Sequence, residues 1–84
     1  MKSFGHLRAL RYFERVAAHN HVGKAAMDLG VTPGAVSKII HQLEERLGVK
    51  LIKKQGTGIQ ITGEGKQLAQ DISGPFADID KAVQ

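Results

Sequence analysis

The sequence predicts a mainly α fold: three helices with a short β-hairpin, then one long helix. Three observations carry that expectation. Apolar residues recur at helical spacing in four stretches of the chain. A tight segment, "LGVTPG" at 29–34, separates the second stretch from the third. Two β-type runs flank "KKQGTG" at 53–58, ahead of the fourth.

The first stretch, "HLRALRYFERVAAH" at 6–19, has apolar residues at Leu7, Leu10, Phe13 and Ala17, with Arg8, Arg11 and Arg15 on other faces. "NHV" at 20–22 interrupts it. A short second helix over 23–29 turns Ala25, Ala26 and Leu29 inward, and Gly30 ends it. Thr32 is a good N-cap for the third helix, and Pro33 follows at the one helical position where its missing N–H costs nothing. Gly34 weakens that helix by roughly 1 kcal/mol relative to Ala. Val36, Ile39, Ile40, Leu43 and Leu47 form its apolar stripe, while Gly34, Ser37, Lys38, His41 and Glu45 share the opposite side. Gly48 closes it.

Leu51-Ile52 and Ile59-Gln60-Ile61 read as the arms of a hairpin, with two glycines for positive φ in its turn. Thr62 then caps the long helix. Leu68, Ile72, Phe76, Ile79 and Val83 form a single seam along it, at spacings of 4, 4, 3 and 4. Ser73-Gly74-Pro75 cuts across the seam and is expected to kink or divide the helix. The expected organisation is a body over 1–62 and a dimerising linker helix over 63–84.

Eighty-four residues without a cysteine must fold on a thin core, with neither a disulfide nor a cysteine-based zinc site in support. Pairing of subunits along the seam is a natural way to bury more. No apolar run reaches the roughly 18 residues of a membrane span, and the N-terminus lacks a signal-peptide core, so a cytoplasmic chain is expected. Charge is uneven. Residues 1–62 carry ten Lys and Arg against four acids, a net of +6. Residues 63–84 carry two lysines against four acids, a net of −2. A basic body suggests a polyanionic partner.

The order of elements matches a helix-turn-helix with a wing, whose second helix enters the major groove of DNA by its N-terminal residues. On the third helix, the first turn favours a phosphate, Thr32 can reach one, and small residues at 34 and 37 allow close approach. Lys38 and His41 can donate to bases or phosphates. Lys53 and Lys54 suit phosphate or minor-groove contact, and Lys24 can steady the second helix on the backbone. Each residue has an ordinary surface reading on its own. Their common order is what favours DNA. Four scattered histidines lack metal-ligand spacing, no cofactor is expected, and no nucleophile stands beside a base, which argues against an enzyme.

The run "AAMDLGVTPGAVSKIIHQLEERLGVKLIKK…ITGEG" closely resembles the N-terminal DNA-binding domain of LysR-type transcriptional regulators. The likeness covers nearly the whole chain, and its most specific part runs from Ala35-Val36-Ser37 to Leu43-Glu44 and Leu47-Gly48. It implies a winged helix-turn-helix, a dimer formed through the linker helix, and an interrupted inverted repeat of double-stranded DNA as partner. The contacts it implies are Thr32, Pro33, Gly34, Ser37 and Lys38 on the recognition helix, with Lys54 on the wing. The sequence departs from the family pattern at Ile52, where Phe is usual, and at Lys54, where Arg is usual. Thr57 replaces a second wing arginine, and Glu64 stands where Ala is usual before Gly65. Val22-Gly23-Lys24 replaces the usual Phe-Thr-Arg. Lysine lacks the planar fork of arginine, so this wing is expected to hold phosphate more than to read the groove. The resemblance also implies that a small-molecule effector binds a C-terminal domain beyond this chain; the chain is then expected to be a portion of a longer regulator, with a stand-alone short protein as the alternative. Two competing readings are a helical protein-interaction module built on the 68–83 seam and a nonspecific nucleic-acid binder. The first predicts no salt-dependent DNA affinity, the second no preference among sequences.

Overall fold

A computed structural model of the chain describes residues 6–84 as four helices and one two-stranded antiparallel hairpin. The first five residues of the expected 1–62 body lie outside the described residues. Helix α1 spans Leu7–His19 and buries Tyr12, Phe13 and Val16. Asn20, left-handed at φ 52°, stops it. Helix α2, Val22–Leu29, begins one residue earlier than expected because His21 caps it: the imidazole Nδ1 accepts from the Lys24 N–H at 2.9 Å. Its fully buried residues are only Ala25 and Ala26, and such small side chains let α2 lie close against α1 and the next helix.

That helix, α3, runs Pro33–Leu47 with the expected cap: Thr32 Oγ1 accepts from the Ala35 N–H at 3.1 Å. Val36, Ile40 and Leu43 are buried and Ile39 is half-buried. Leu47, expected in the same stripe, is 41 % exposed, because it lies in the last turn beyond the reach of α1 and α2. The three helices enclose one core with Phe13, Val16, Val36, Ile40 and Leu43 at its centre.

Strands β1, Ile52–Gln55, and β2, Gly58–Ile61, pair with Ile52 opposite Ile61 and Gln55 opposite Gly58. The turn is therefore only Gly56-Thr57, tighter than "KKQGTG" implied, and both lysines belong to β1. Gly56 alone has positive φ, at 60°; Gly58 does not. Positive φ at the first central residue only is the pattern of a type II′ turn, whose twist matches the strands.

Helix α4 spans Gly63–Ala82 and is not divided at Ser73-Gly74-Pro75. Pro75 removes one N–H from a helix of more than five turns, and the contacts on either side outweigh that loss. Leu68, Ala69 and Ile72 pack on the core, and Phe76 is 8 % exposed. The expected dimer seam is thus partly used within the chain. Ile79 and Val83, 50 % and 81 % exposed, are the seam residues left open.

The junction of hairpin and α4 is tight. Thr62 Oγ1 accepts from the Gly65 N–H and donates to the Lys50 carbonyl at 2.6 Å, and the Thr62 N–H donates to the Leu51 carbonyl. A Cβ on Gly65 would collide with the Leu51 carbonyl and stand 2.8 Å from Ile61 Cγ2. Gly65→Ala is expected to lower unfolding stability by about 1–3 kcal/mol, the usual cost of overpacking. A urea midpoint unchanged from wild type would refute this account of the junction.

Candidate nucleic-acid interface

Burying one face of α3 leaves the other uncovered. Thr32, Pro33, Gly34, Ser37, Lys38 and His41 are all exposed. Thr32 accepts the capping bond with its hydroxyl oxygen and keeps its own O–H proton free to donate. Nothing lies within 4 Å of where a Gly34 Cβ would stand, so the backbone is bare there. Lys38 makes no ion pair among the described residues. His41 is less free: its Nε2 lies 3.4 Å from Glu45 and its Nδ1 3.7 Å from Glu44.

Lys53 and Lys54 are exposed on β1, opposite Gln60 and Ile59 respectively. As consecutive strand residues they leave from opposite faces of the hairpin, so they do not act as one paired turn charge. A cleft separates the hairpin from α3. Ser37, His41, Lys53 and Lys54 border it, and Ile40, Ile52 and Ile59 line its apolar part. The cleft brings Ser37 and His41 of α3 together with Lys53 and Lys54 of the hairpin; Thr32, Pro33, Gly34 and Lys38 do not border it. Lys24 stands apart from this cleft, exposed in the first turn of α2, with its N–H held by His21.

The chain can now be set beside known proteins. Residues 7–66 match the model of the family described as bacterial regulatory helix-turn-helix protein, lysR family. The chain belongs to the lysR family. It is 42 % identical over 78 residues to the HTH-type transcriptional regulator BlaA of Proteus vulgaris, covering 93 % of this chain and 27 % of that protein. It is 48 % identical over 62 residues to the HTH-type transcriptional activator AmpR of Pseudomonas aeruginosa, covering 74 % of this chain and 21 % of that one. Among solved structures, the BenM DNA-binding domain in complex with catB site 1 DNA matches with TM-score 0.81 at 32 % identity, over 92 % of this chain and 86 % of that one. The CbnR domain–DNA complex matches with TM-score 0.72 at 29 % identity, over 90 % and 94 %. The chain spans about a quarter of the length of the curated relatives it matches.

Within this lysR-type domain two of the arginines serve the fold, while Arg8 and Arg46 are exposed. Arg11 and Arg15 both hold the buried carboxylate of Glu14. Arg15 also reaches Asp28 in α2 at 3.0 Å, and Arg11 reaches Asp80 in α4 at 2.9 Å. His19 Nε2 lies 2.9 Å from the same Asp28 oxygen. These partners hold the Asp28 carboxyl below the usual carboxylate range, His19 contributing most and Arg15 next, and Glu14 above all raises the Arg15 guanidinium. Both arginines are spent on the fold. Lys24, Lys38, Lys53 and Lys54 make no ion pair among the described residues and carry the outward charge.

Sequence reasoning missed one residue that builds the interface. Glu44 is 7 % exposed, and its Oε2 accepts from the Leu51 and Ile52 N–H groups at 2.7 and 3.2 Å. It fastens the root of the wing to the recognition helix. The signal was present: position 44 is one turn after Ile40 and adjoins Leu43, at the edge of the buried stripe, where a carboxylate must find partners.

Glu44→Ala is expected to cost about 1–3 kcal/mol and leave the buried Leu51 N–H unsatisfied. Amide exchange at Leu51 and Ile52 should accelerate more than in the rest of the core; equal acceleration everywhere would disprove the anchor. Asp28 makes the fold acid-sensitive with a definite sign. Its lowered value means its contribution is complete above the ordinary carboxylate value of 3.8 and is lost as pH falls through the lowered one. Asp28→Asn should therefore flatten the acid limb of stability against pH, and a limb of unchanged steepness would refute this.

Proposed function

We propose that this domain binds double-stranded DNA sequence-specifically for a bacterial transcription regulator, as a homodimer on an interrupted inverted repeat. The N-terminal half of α3 enters the major groove, with Gly34, Ser37 and Lys38 at the bases and His41 farther along. Thr32 and Pro33 lie at the phosphate entrance, Lys24 steadies α2 on the backbone, and Lys53 and Lys54 hold flanking phosphates. The observation that carries this reading is the free cation Lys38 on the uncovered face of α3, next in sequence to Ser37, which borders a cleft together with the free wing lysines Lys53 and Lys54. The relatives support it by description, as transcriptional regulators and as domains in complex with DNA.

Homodimerisation places Ile79 and Val83 of α4 against a second copy, with Leu68, Ile72 and Phe76 supporting them from within. No helix among the described residues is long and apolar enough to cross a membrane, and a cytoplasmic regulator without enzymatic activity is the reading that fits the relatives. Any small-molecule effector acts through a part of the regulator outside this chain.

Selection of bound duplexes from a random pool at two salt concentrations should enrich a dyad-symmetric site; no enrichment at either salt would overturn the proposal. Lys54→Ala should weaken binding evenly across sequences and lower the salt slope by about one. Lys38→Ala should also change which bases are preferred, by about 1–3 kcal/mol at the affected position. Identical behaviour of the two variants would refute the division of labour between helix and wing.

A further inference from the structure

Before Pro75, helix α4 is held by its first turn and by Leu68, Ala69 and Ile72 on the core; beyond Pro75 a separate set of contacts holds it. Its first turn is fixed by Thr62 on the Lys50 carbonyl and by Gly65 against Leu51. Its second half is held by one side chain from α1. Arg11 Nη2 bonds Asp80 Oδ1 at 2.9 Å across 69 residues of sequence, and its guanidinium carbon lies 5.1 Å from the centroid of the Phe76 ring. Its other nitrogen is fixed by Glu14 at 3.1 Å, so the fork cannot rotate freely. Among the described residues, Arg11–Asp80 is the only side-chain hydrogen bond between this half of α4 and another element.

Proline at 75 has no N–H to offer the Asp71 carbonyl one turn back, which leaves the ladder weakest there. A helix bends most readily at such a point. Phe76 and Asp80 both lie beyond it. Arg11 therefore clasps the far side of the hinge.

We infer that Arg11 is a positioning residue: through Asp80 and Phe76 it sets the angle of α4 on the body, and so the half-site spacing that the dimer accepts. This rests on the dimeric DNA-binding reading above. The lever is long enough to matter. The turns from Pro75 to Ala82 span about 12 Å, so a bend of about 20° at Pro75 moves the far end by about 4 Å. One base pair rises about 3.4 Å along the duplex. Loss of the clasp should thus blur spacing by at least one base pair while leaving each recognition helix intact.

The test uses the full 84-residue chain and duplexes whose two half-sites, taken from the wild-type selection, are separated by spacers of stepwise length. Wild type should favour one spacer over its neighbours by about tenfold. Asp80→Asn and Arg11→Gln should reduce that preference to within about threefold, and Asp80→Glu should restore it. Affinity for a duplex bearing a single half-site should stay within about twofold for Asp80→Asn, whose site is on the outer turns of α4. Unchanged spacer preference in both variants would overturn the inference. So would a loss of single-half-site affinity equal to the loss on the full site, since that marks general unfolding of the body. Failure of the dimeric reading shows separately, as a wild-type chain with no spacer preference at all.

Discussion

Recognition helix α3 is held from one side only, and that constraint organises the rest of the domain. Val36, Ile40 and Leu43 are buried in one core with Phe13 and Val16, while Gly34, Ser37 and Lys38 stay bare. Nothing may cover the bare face, so every other stabilising contact has to reach α3 from behind or from its ends. Thr32 secures the N-terminal end, Gly48 closes the other, and Glu44 ties the back of the helix to the hairpin. The short α2, with alanines where larger residues would hold α3 off, exists to bring the third helix close.

Two arginines, Arg11 and Arg15, turn inward to serve the contacts behind α3. A buried carboxylate such as Glu14 needs donors that arrive in a fixed plane, and two guanidinium groups supply them without folding a flexible stem into the core. Isolated surface ion pairs contribute about 0–1 kcal/mol, but here each arginine reaches a different helix. Arg15 carries the network to α2 and Arg11 carries it to α4. The lysines remain mobile point charges, suited to phosphates whose positions vary with the duplex.

Most of the architecture was legible because short-range signals coincide with long-range ones. Thr32-Pro33, Gly48 and Thr62 mark helix ends that the apolar stripes require anyway, and they sit where the spacing placed them. What escaped was decided by pairings that residue type and spacing do not announce. His21 caps α2 although histidine is not a common cap, since the signal is the free N–H at Lys24 and not the residue type. The hairpin turn shortened because pairing Gln55 with Gly58 satisfies more backbone than an open loop. Pro75 reads as a break from local rules alone; Asp80, four residues beyond Phe76, meets a partner in α1 that no periodicity reveals. The seam of five apolar residues was correct in spacing, yet spacing cannot tell which of them face their own chain. Leu68, Ile72 and Phe76 do, because the body covers α4 as far as Phe76 and leaves Ile79 and Val83 open.

Gly34 brings these threads together. Gly65 is a glycine because the Leu51 carbonyl leaves no room for a Cβ, and Gly56 because its turn needs positive φ. Neither reason applies at 34, where φ is not positive and open space surrounds the missing side chain. An alanine there would be worth roughly 1 kcal/mol in helix propensity and would touch nothing in the domain. The fold gives no reason for this glycine, as it gives none for Gly63 or Gly74; what sets position 34 apart is its place on the side of α3 that the fold leaves uncovered. A bare turn at the positive end of a helix allows the backbone itself to approach an anionic surface, which a side chain would hold away. Under the proposed approach, discrimination falls to the residues one turn later. There Ser37 and Lys38 stand free, whereas His41 is already drawn toward Glu44 and Glu45.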